Sequence, residues 1–403
     1  MDHFECDDAQ EFDAHRLRDG RWQRGRLQVV VRVGHRNMTG IVGAERGDTA
    51  YGEGSRDGSL GLAWRSYRGR AGLEAIAEQW DQLDRTNPDF RFFQGADWHR
   101  AYLEILERHP EKFWFAVAYR ANVPVGIFPL RTWVRDVSGI KVRALGLPSH
   151  SHVTLADFEF TIASENATLV SSLTQWLHRQ REFAWDVLML DKVPANSAIG
   201  FAMAADPPPM TVTTEHGFSA FLDVDASFEQ ATESVSSSFR RNLRRLARRA
   251  EESAPLRFET CATPEALEAA FPSFLAVEGS GWKGAEGAGT AIALDANLVA
   301  FYRRLMRDYA TQGRCVINLL RHGQTVVAAQ FCLISGKTFN ILKIGYSEEH
   351  GAFAPGNLLM ERTIRQACES PELRVLSFVT HPRWSHLWKP KLEPVHTYAV
   401  FNR

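Results

Sequence analysis

Apolar residues recur at helical spacing in "AGLEAIAEQWDQLDR", at Leu73, Ile76, Trp80 and Leu83, and the pattern repeats in "GADWHRAYLEILERH". Such spacing puts one greasy stripe on an amphipathic helix. Before them "LGLAWRSYR" reads as a strand, and after them "KFWFAVAYR" and "VPVGIFPLRTWVRD" read as two strands joined at Ala121-Asn122, a hairpin turn. "IKVRALGL" adds a strand, "ATLVSSLTQWLHRQREF" a helix and "WDVLMLDKV" another strand. A Pro-rich break, "ADPPPMTVTTEHG", separates this block from a second. There the helices are "SSSFRRNLRRLARRAEE", "PEALEAAFPSFLAVE", "DANLVAFYRRLMRDYATQG" and "NLLMERTIRQACES". "PLRFETC", "RCVINLLRHG", "QTVVAAQFCLISGK", "TFNILKIGYSEE", "LRVLSFVT" and "HTYAVF" are the strands, with a hairpin across His322-Gly323-Gln324. Both blocks run helices, antiparallel strands, a strand-to-helix crossover, then a further strand. A duplicated α+β fold is the economical reading.

Composition narrows the class. The 403 residues suggest two or three domains, and 44% hydrophobic with 24% charged residues is ordinary for a globular protein. The 47 basic and 48 acidic residues nearly cancel, so no global charge steers the chain to nucleic acid or membrane. No apolar run reaches the length of a spanning helix. The acidic opening "MDHFECDDAQEFDAH" has no apolar h-region, so the expectation is a cytoplasmic protein without a secretory signal. Five scattered cysteines with no CxxC pair argue against a zinc site or a disulfide framework. Residues 1–58, rich in Arg, Gly, Asp and Ser with only "LQVVVRV" strand-like, are expected to be a poorly ordered extension. Domains are expected at 59–220 and 221–403.

Several motifs carry candidate chemistry. "GSGWKG" (Gly279 to Gly284) matches G-x-G-x-x-G but follows a helical segment where a dinucleotide fingerprint needs a strand, so nucleotide binding of that kind is not expected. The same stretch sets Glu278, Ser280, Trp282 and Lys283 among glycines, which supplies a base, a charge clamp and a stacking face, or else a flexible surface loop. "FRRNLRRLARR" places Phe239, Leu243, Leu246 and Ala250 on one stripe and arginines elsewhere. It reads equally as an anion-facing helix or a solvated face. "SHSHVTLADF" offers His150, His152 and Asp157, short of a third strong metal ligand, so a polar loop and no metal are expected. No G-x-S-x-G elbow is present. In "LKIGYSEEH", ideal alternation puts residues 341, 343 and 345 on one strand face and 342, 344 and 346 on the other. Lys343 and Tyr346 therefore point apart unless a bulge or the strand end turns one of them.

Glu278-Gly-Ser-Gly-Trp-Lys-Gly with Gly289-Thr-Ala-Ile, then "FYRRLM", "VVAAQFCL", "LKIGYSEEHGAFAPGNLL" and Trp388-Lys389, together resemble the CelD-type acyltransferases. That family, named for cellulose biosynthesis, belongs to the GNAT superfamily and is similar to the FemABX aminoacyltransferases. "FFQGADWHRAYLE", "GIFPLRTW" and "RRNLRRLARR" also fit it, and the resemblance spans about residues 60–400. It implies α+β tandem GNAT-like folds, each a mostly antiparallel mixed sheet flanked by helices, with the active site in the C-terminal copy. It also implies acyl transfer to an amine or hydroxyl, in envelope, exopolysaccharide or small-metabolite assembly. The donor's phosphates would sit at the strand-to-helix crossover, where "HGAFAPGNLL" keeps Gly351 and Gly356 but not the full Q/R-x-x-G-x-G/A pattern of ordinary GNAT enzymes. Acyl-CoA or acetyl-CoA is the expected donor, with an acyl carrier protein or a charged tRNA as alternatives, and DNA is not an expected partner.

Residue chemistry assigns roles within that frame. Glu278 is the expected proton acceptor and Tyr346 the proton donor. Ser280, Trp282, Lys283, Lys343, Trp388 and Lys389 are expected to contact substrate. Arg244, Arg248, Gly356 and Asn357 are expected to hold donor phosphates. The competing readings are a FemABX-like aminoacyl-tRNA-dependent transferase, a non-catalytic GNAT-like scaffold, and an RNA-binding protein using the face from Arg240 to Arg249.

Overall fold

The computed structural model describes residues 56–402 apart from 58–60, 88–90, 138, 149, 153–154, 157–158, 161–165, 181–183 and 282. The expected N-terminal extension lies outside the described residues except for Arg56–Asp57, which form strand β1. The first half continues with β2 (Leu62–Arg68), α1 (Gly69–Thr86), α2 (Ala96–Ala101), β3 (Phe113–Arg120), β4 (Val123–Val137), β5 (Ile140–Gly146), β6 (Glu159–Phe160), α3 (Asn166–Arg179), β7 (Val187–Pro194) and α4 (Ala198–Ala205). The second half holds β8 (Thr211–Asp223), α5 (Phe228–Ala231), α6 (Ser237–Glu251), β9 (Leu256–Cys261), α7 (Pro264–Glu278) and α8 (Ala296–Ala310). It ends with β10 (Cys315–His322), β11 (Thr325–Ser335), β12 (Thr338–Tyr346), α9 (Pro355–Glu369), β13 (Val375–Ser377) and β14 (Lys391–Phe401).

The hairpin at Ala121-Asn122 forms as expected, with both residues at positive φ (49° and 65°), which matches the twist of a two-residue turn. The Pro-rich break is shorter than the sequence suggests. The alternating "TVTTEHGFSAFLD" that follows the prolines is the long strand β8, whose β-branched residues the neighbouring Pro run obscures. Position 220, the expected domain boundary, falls inside that strand.

One sheet runs through both halves. Among the described residues its order is β1-β2-β3-β4-β5-β7-β14-β8-β13-β12-β11-β10-β9, with β6 paired to β4 off this path. Every pairing is antiparallel except β5 with β7 and β12 with β13. Each half thus has one parallel pair, spanned by a crossover helix (α3 or α9), which is the duplication legible in the sequence. The C-terminal strand β14 inserts between β7 of the first half and β8 of the second, so backbone hydrogen bonds weld the two copies together.

The two faces are covered differently. Apolar residues of α1, α2, α7 and α8 merge into one core that crosses the boundary between halves. Trp98 packs edge-on to Phe301 at 5.3 Å, and the Tyr309 hydroxyl donates to the Phe92 carbonyl at 3.0 Å. On the opposite face α3 and α4 cover the first half, and α6 with α9 cover the second. Helix α9 is also registered on the sheet by buried polar side chains. Thr363 Oγ1 donates to Gln330 Oε1 at 2.7 Å, and Asn318 Nδ2 donates to Thr363 Oγ1 at 3.3 Å and to Gln366 Oε1 at 3.2 Å. Because Asn318, Gln330 and Thr363 are fully buried, these bonds fix where α9 sits.

Thr363→Val removes a donor and an acceptor without changing shape much. It is expected to cost about 1–3 kcal/mol by leaving Gln330 without its donor, while Thr363→Ser stays near wild type; chemical denaturation of both variants checks this.

Candidate active site

β12 and β13 pair in parallel only from Thr338 to Asn340, against Val375 to Ser377. Beyond that point β12 stays paired to β11 up to Tyr346 but leaves β13, so Ile341 to Tyr346 borders an open V in the sheet. The register against β11 slips here, with Cys332 opposite Ile341 and Phe331 opposite Lys343, which makes Leu342 the extra residue of a bulge. Ile341 belongs to the core under α9, whereas Lys343 lies over Tyr302 of α8 on the other face. The expectation that 341 and 343 share a face is therefore corrected. The bulge turns Lys343 to the α7/α8 side, and Tyr346 stays on the α9 side, so the two still point apart.

At the mouth of the V, α7 and β12 touch backbone to backbone. A Cβ on Gly345 would lie 2.5 Å from the Glu278 Cα, so only glycine permits this approach. Glu278, the last residue of α7, is 3% exposed. Its Oε1 accepts from Lys283 Nζ at 3.1 Å and its Oε2 from the Ile292 amide at 2.9 Å. Lys283 Nζ also donates to the Ile344 carbonyl at 2.9 Å, within the β12 stretch that β13 leaves unpaired. The ion pair thus clips the Gly-rich loop onto the end of β12.

Lys343 has no ion pair among the described residues. Its Nζ lies 5.9 Å from the centroid of the Tyr302 ring, and burial with nearby Lys283 pushes its ammonium down to about 8. Tyr302 is 1% exposed, and burial, with the Glu278 charge, holds its phenol protonated well above the usual range. His152 Nδ1 lies 2.9 Å from that hydroxyl. A buried phenol proton needs an acceptor, and Nδ1 is the one within reach among the described residues, so His152 carries its own proton on Nε2. Burial, then Lys343, His150 and Lys283, push the imidazole down to about 3, which keeps it neutral at pH 7.

Of the residues singled out in the sequence, Glu278, Lys283 and Lys343 come together on the α7/α8 face. Tyr346 is 40% exposed on the α9 face, and a Cβ on Gly356 would meet its ring at 3.5 Å. Gly356 follows Ala354 in a left-handed conformation (φ 52°) and Pro355 at the first position of α9. The Asn357 amide turns back to the Ala354 carbonyl, and no partner for the Gly356 amide occurs among the described residues. Asn357 Oδ1 accepts from Trp388 Nε1 at 3.2 Å, and the buried Trp388 ring packs edge-on to Phe239 of α6. Trp388 therefore braces the crossover from inside the core and offers no surface to a substrate. Ser280 bonds its own helix end at the Val277 carbonyl, Lys389 is exposed, and Trp282 lies outside the described residues. Arg244 and Arg248 are on the solvent side of α6, opposite its buried stripe of Leu243, Leu246 and Ala250, and so turn away from the crossover. His152 and Tyr302 are the site residues the sequence reading missed. His152 had been placed in a polar loop, and its arrival from the other half depends on tertiary contacts that no local spacing records. Asp157, its expected neighbour, lies outside the described residues, and no group of metal-binding side chains occurs among the described ones.

This geometry has relatives. Residues 237–384 match the family model described as an acetyltransferase (GNAT) domain. The crystal structure of FemX is similar over 81% of this chain and 96% of its own, with a TM-score of 0.55 and 9% identity. The C-terminal domain of a putative lysylphosphatidylglycerol synthetase from Agrobacterium fabrum aligns over 82% of this chain and 93% of its own, with a TM-score of 0.48 and 12% identity. A tandem GNAT protein from the clavulanic acid biosynthesis pathway aligns over 84% and 98%, with a TM-score of 0.42 and 12% identity. No curated protein matches the chain. The chain has a tandem GNAT-like fold, and residues 237–384 of its second half are similar to the acetyltransferase (GNAT) domain.

Two stability tests follow from the cluster. Glu278→Gln leaves the Lys283 ammonium without its counter-charge and is expected to cost about 3–5 kcal/mol, with part of the loss recovered in the Glu278→Gln/Lys283→Met double variant; melting curves of the three proteins decide it. Lys343 is depressed in the folded state from an ordinary 10.5 to about 8. Between those values the unfolded chain binds the extra proton, so stability rises with pH across that window. Lys343→Met is expected to flatten that rise, and an unchanged slope between pH 8 and 10.5 would rule out a depressed Lys343.

Proposed function

We propose that the second half transfers an acyl group from acyl-CoA to an amine or hydroxyl at the open V between β12 and β13. The observation that carries this reading is the divergence itself. A strand that stays paired on one side and leaves its parallel neighbour after three residues frames a slot for an extended donor, with a helix N-terminus at its mouth for the phosphates. The Gly356 amide and the positive end of the α9 dipole favour the donor's diphosphate there. The CelD-type resemblance of the segments around Glu278, Lys343 and Trp388 supports an acceptor from exopolysaccharide or envelope assembly.

Positioning and proton transfer supply most of what such a reaction needs, because the thioester is already activated. The acceptor nitrogen or oxygen attacks the thioester carbonyl, forming the new C–N or C–O bond as the C–S bond breaks. Lys343, neutral for an appreciable fraction near pH 8, takes the acceptor's proton, in the role first expected of Glu278. Both Glu278 oxygens are already engaged by Lys283 and Ile292, which favours a positioning role for that carboxylate. The proton that Lys343 takes is passed on through solvent to the departing thiolate, and Tyr346, beside Gly356, stands at the diphosphate end of the donor, away from the sulfur it was first expected to protonate.

The assay is release of free CoA from acetyl-CoA and longer acyl-CoAs over a panel of amino sugars and small amines. Lys343→Arg keeps the charge but raises the pKa, and is expected to lower kcat/KM by about 10²-fold or more and to abolish the rising limb of its pH profile. An active Lys343→Arg enzyme with that limb intact removes Lys343 from proton transfer, and absence of turnover with every donor and acceptor favours the scaffold reading.

A further inference from the structure

The site does not use the outer face of α6. Arg241, Arg244, Arg245, Arg248 and Arg249, with Glu252, line a shallow open recess of about 560 Å³ on this helix. The five guanidiniums are exposed. None of them makes an ion pair among the described residues, and Arg245 Nη2 reaches only the neighbouring Asn242 Oδ1, at 2.9 Å. Elsewhere on this protein arginines are commonly paired, as Arg131 is with Glu107, Arg143 with Asp186 and Arg321 with Glu259. Five unpaired like charges within nine residues repel one another and weaken the helix that carries them, so the stripe is costly unless an anion meets it.

We propose that this face docks the protein onto an anionic lipid surface. The helix lies on the outside of the fold with its apolar stripe (Leu243, Leu246, Ala250) buried against the body, so its charged side faces solvent. From Arg241 to Arg249 it spans about 12 Å at 1.5 Å per residue. A short exposed row of guanidiniums suits a plane of lipid phosphates, each of which accepts the planar fork bidentately. Because the apolar face is already used in the core, docking is by charge and without insertion. No helix among the described residues is long and apolar enough to cross a membrane.

A nucleic-acid strand is the rival occupant, and two observations disfavour it. The stripe carries no aromatic side chain on which a base would stack. It stops at Glu251 and Glu252, both exposed, where a longer phosphate track would have to continue. An anionic bilayer presents a surface potential that draws basic side chains to it. Each basic residue at such a surface multiplies partitioning by about fivefold, an effect that salt removes over a Debye length.

The test is co-sedimentation of the full chain with phosphatidylcholine vesicles and with phosphatidylcholine–phosphatidylglycerol vesicles, at about 0.1 M and about 0.5 M salt, alongside fluorescence anisotropy with a single-stranded RNA oligonucleotide. The expected result is binding to the anionic vesicles alone, lost at high salt and reduced at least tenfold in Arg244→Gln/Arg245→Gln/Arg248→Gln. These side chains are exposed, so that variant is expected to melt with the wild type, and Arg→Lys at the same positions is expected to retain most of the binding. Equal binding to neutral vesicles, no binding to anionic ones, or binding untouched by the triple variant overturns the proposal. Tighter binding to the RNA than to the vesicles, abolished by the same variant, overturns it in favour of a nucleic-acid partner.

Discussion

The ion pair between Glu278 and Lys283 ties the second half together at the point where chemistry is possible. A carboxylate 3% exposed is tolerable only because both oxygens have donors. The ammonium that neutralises it also satisfies the Ile344 carbonyl at 2.9 Å. Three separate pieces of chain, the end of α7, the Gly-rich loop and the far end of β12, are thereby held at one spot. Gly345 allows the contact, since any side chain there would strike the α7 backbone. If this clip failed, the last residues of β12 would keep their pairing to β11 but lose the polar tie to α7 and the Gly-rich loop, loosening one wall of the V.

The site is also a product of duplication. β14 between β7 and β8 and the shared core of α1, α2, α7 and α8 fix one copy against the other by backbone bonds and apolar packing together. Interfaces of that kind leave little freedom for the halves to rock. This rigidity lets His152, on a loop after β5, meet the Tyr302 hydroxyl of α8 at 2.9 Å. The second copy carries the strand divergence and the lysines, while the first copy supplies an imidazole wall. On the opposite face Trp388 joins Asn357 to Phe239, so the crossover that would meet donor phosphates is braced from within the core.

Much of this was legible in the chain. Leu73, Ile76, Trp80 and Leu83 marked α1, Ala121-Asn122 marked a hairpin, and the repeated order of elements marked the duplication, because each is a local signal with a fixed period or turn geometry. Glu278, Lys283 and Lys343 were also visible, since a carboxylate and lysines among glycines at element ends are unusual in a solvated loop. What escaped was tertiary. The bulge at Leu342 reverses the facing of Lys343 relative to Ile341, and alternation alone cannot foresee one extra residue. Trp388 was expected to contact substrate, because sequence alone does not say that an isolated indole is buried, as this one is. Arg244 and Arg248 were linked to the crossover by charge, yet the helix period already opposed them to Leu243 and Leu246, which are buried. The helical wheel outweighed the charge argument.

The central claim is that the donor occupies the V and meets the start of α9. Amide hydrogen exchange with and without saturating acetyl-CoA tests it most directly, because it reports position without requiring the acceptor. Slowed exchange is expected only from Ile341 to Ser347 and from Gly356 through Leu358, with the α6 amides unchanged. Protection confined to α6, or to the first half alone, would contradict it.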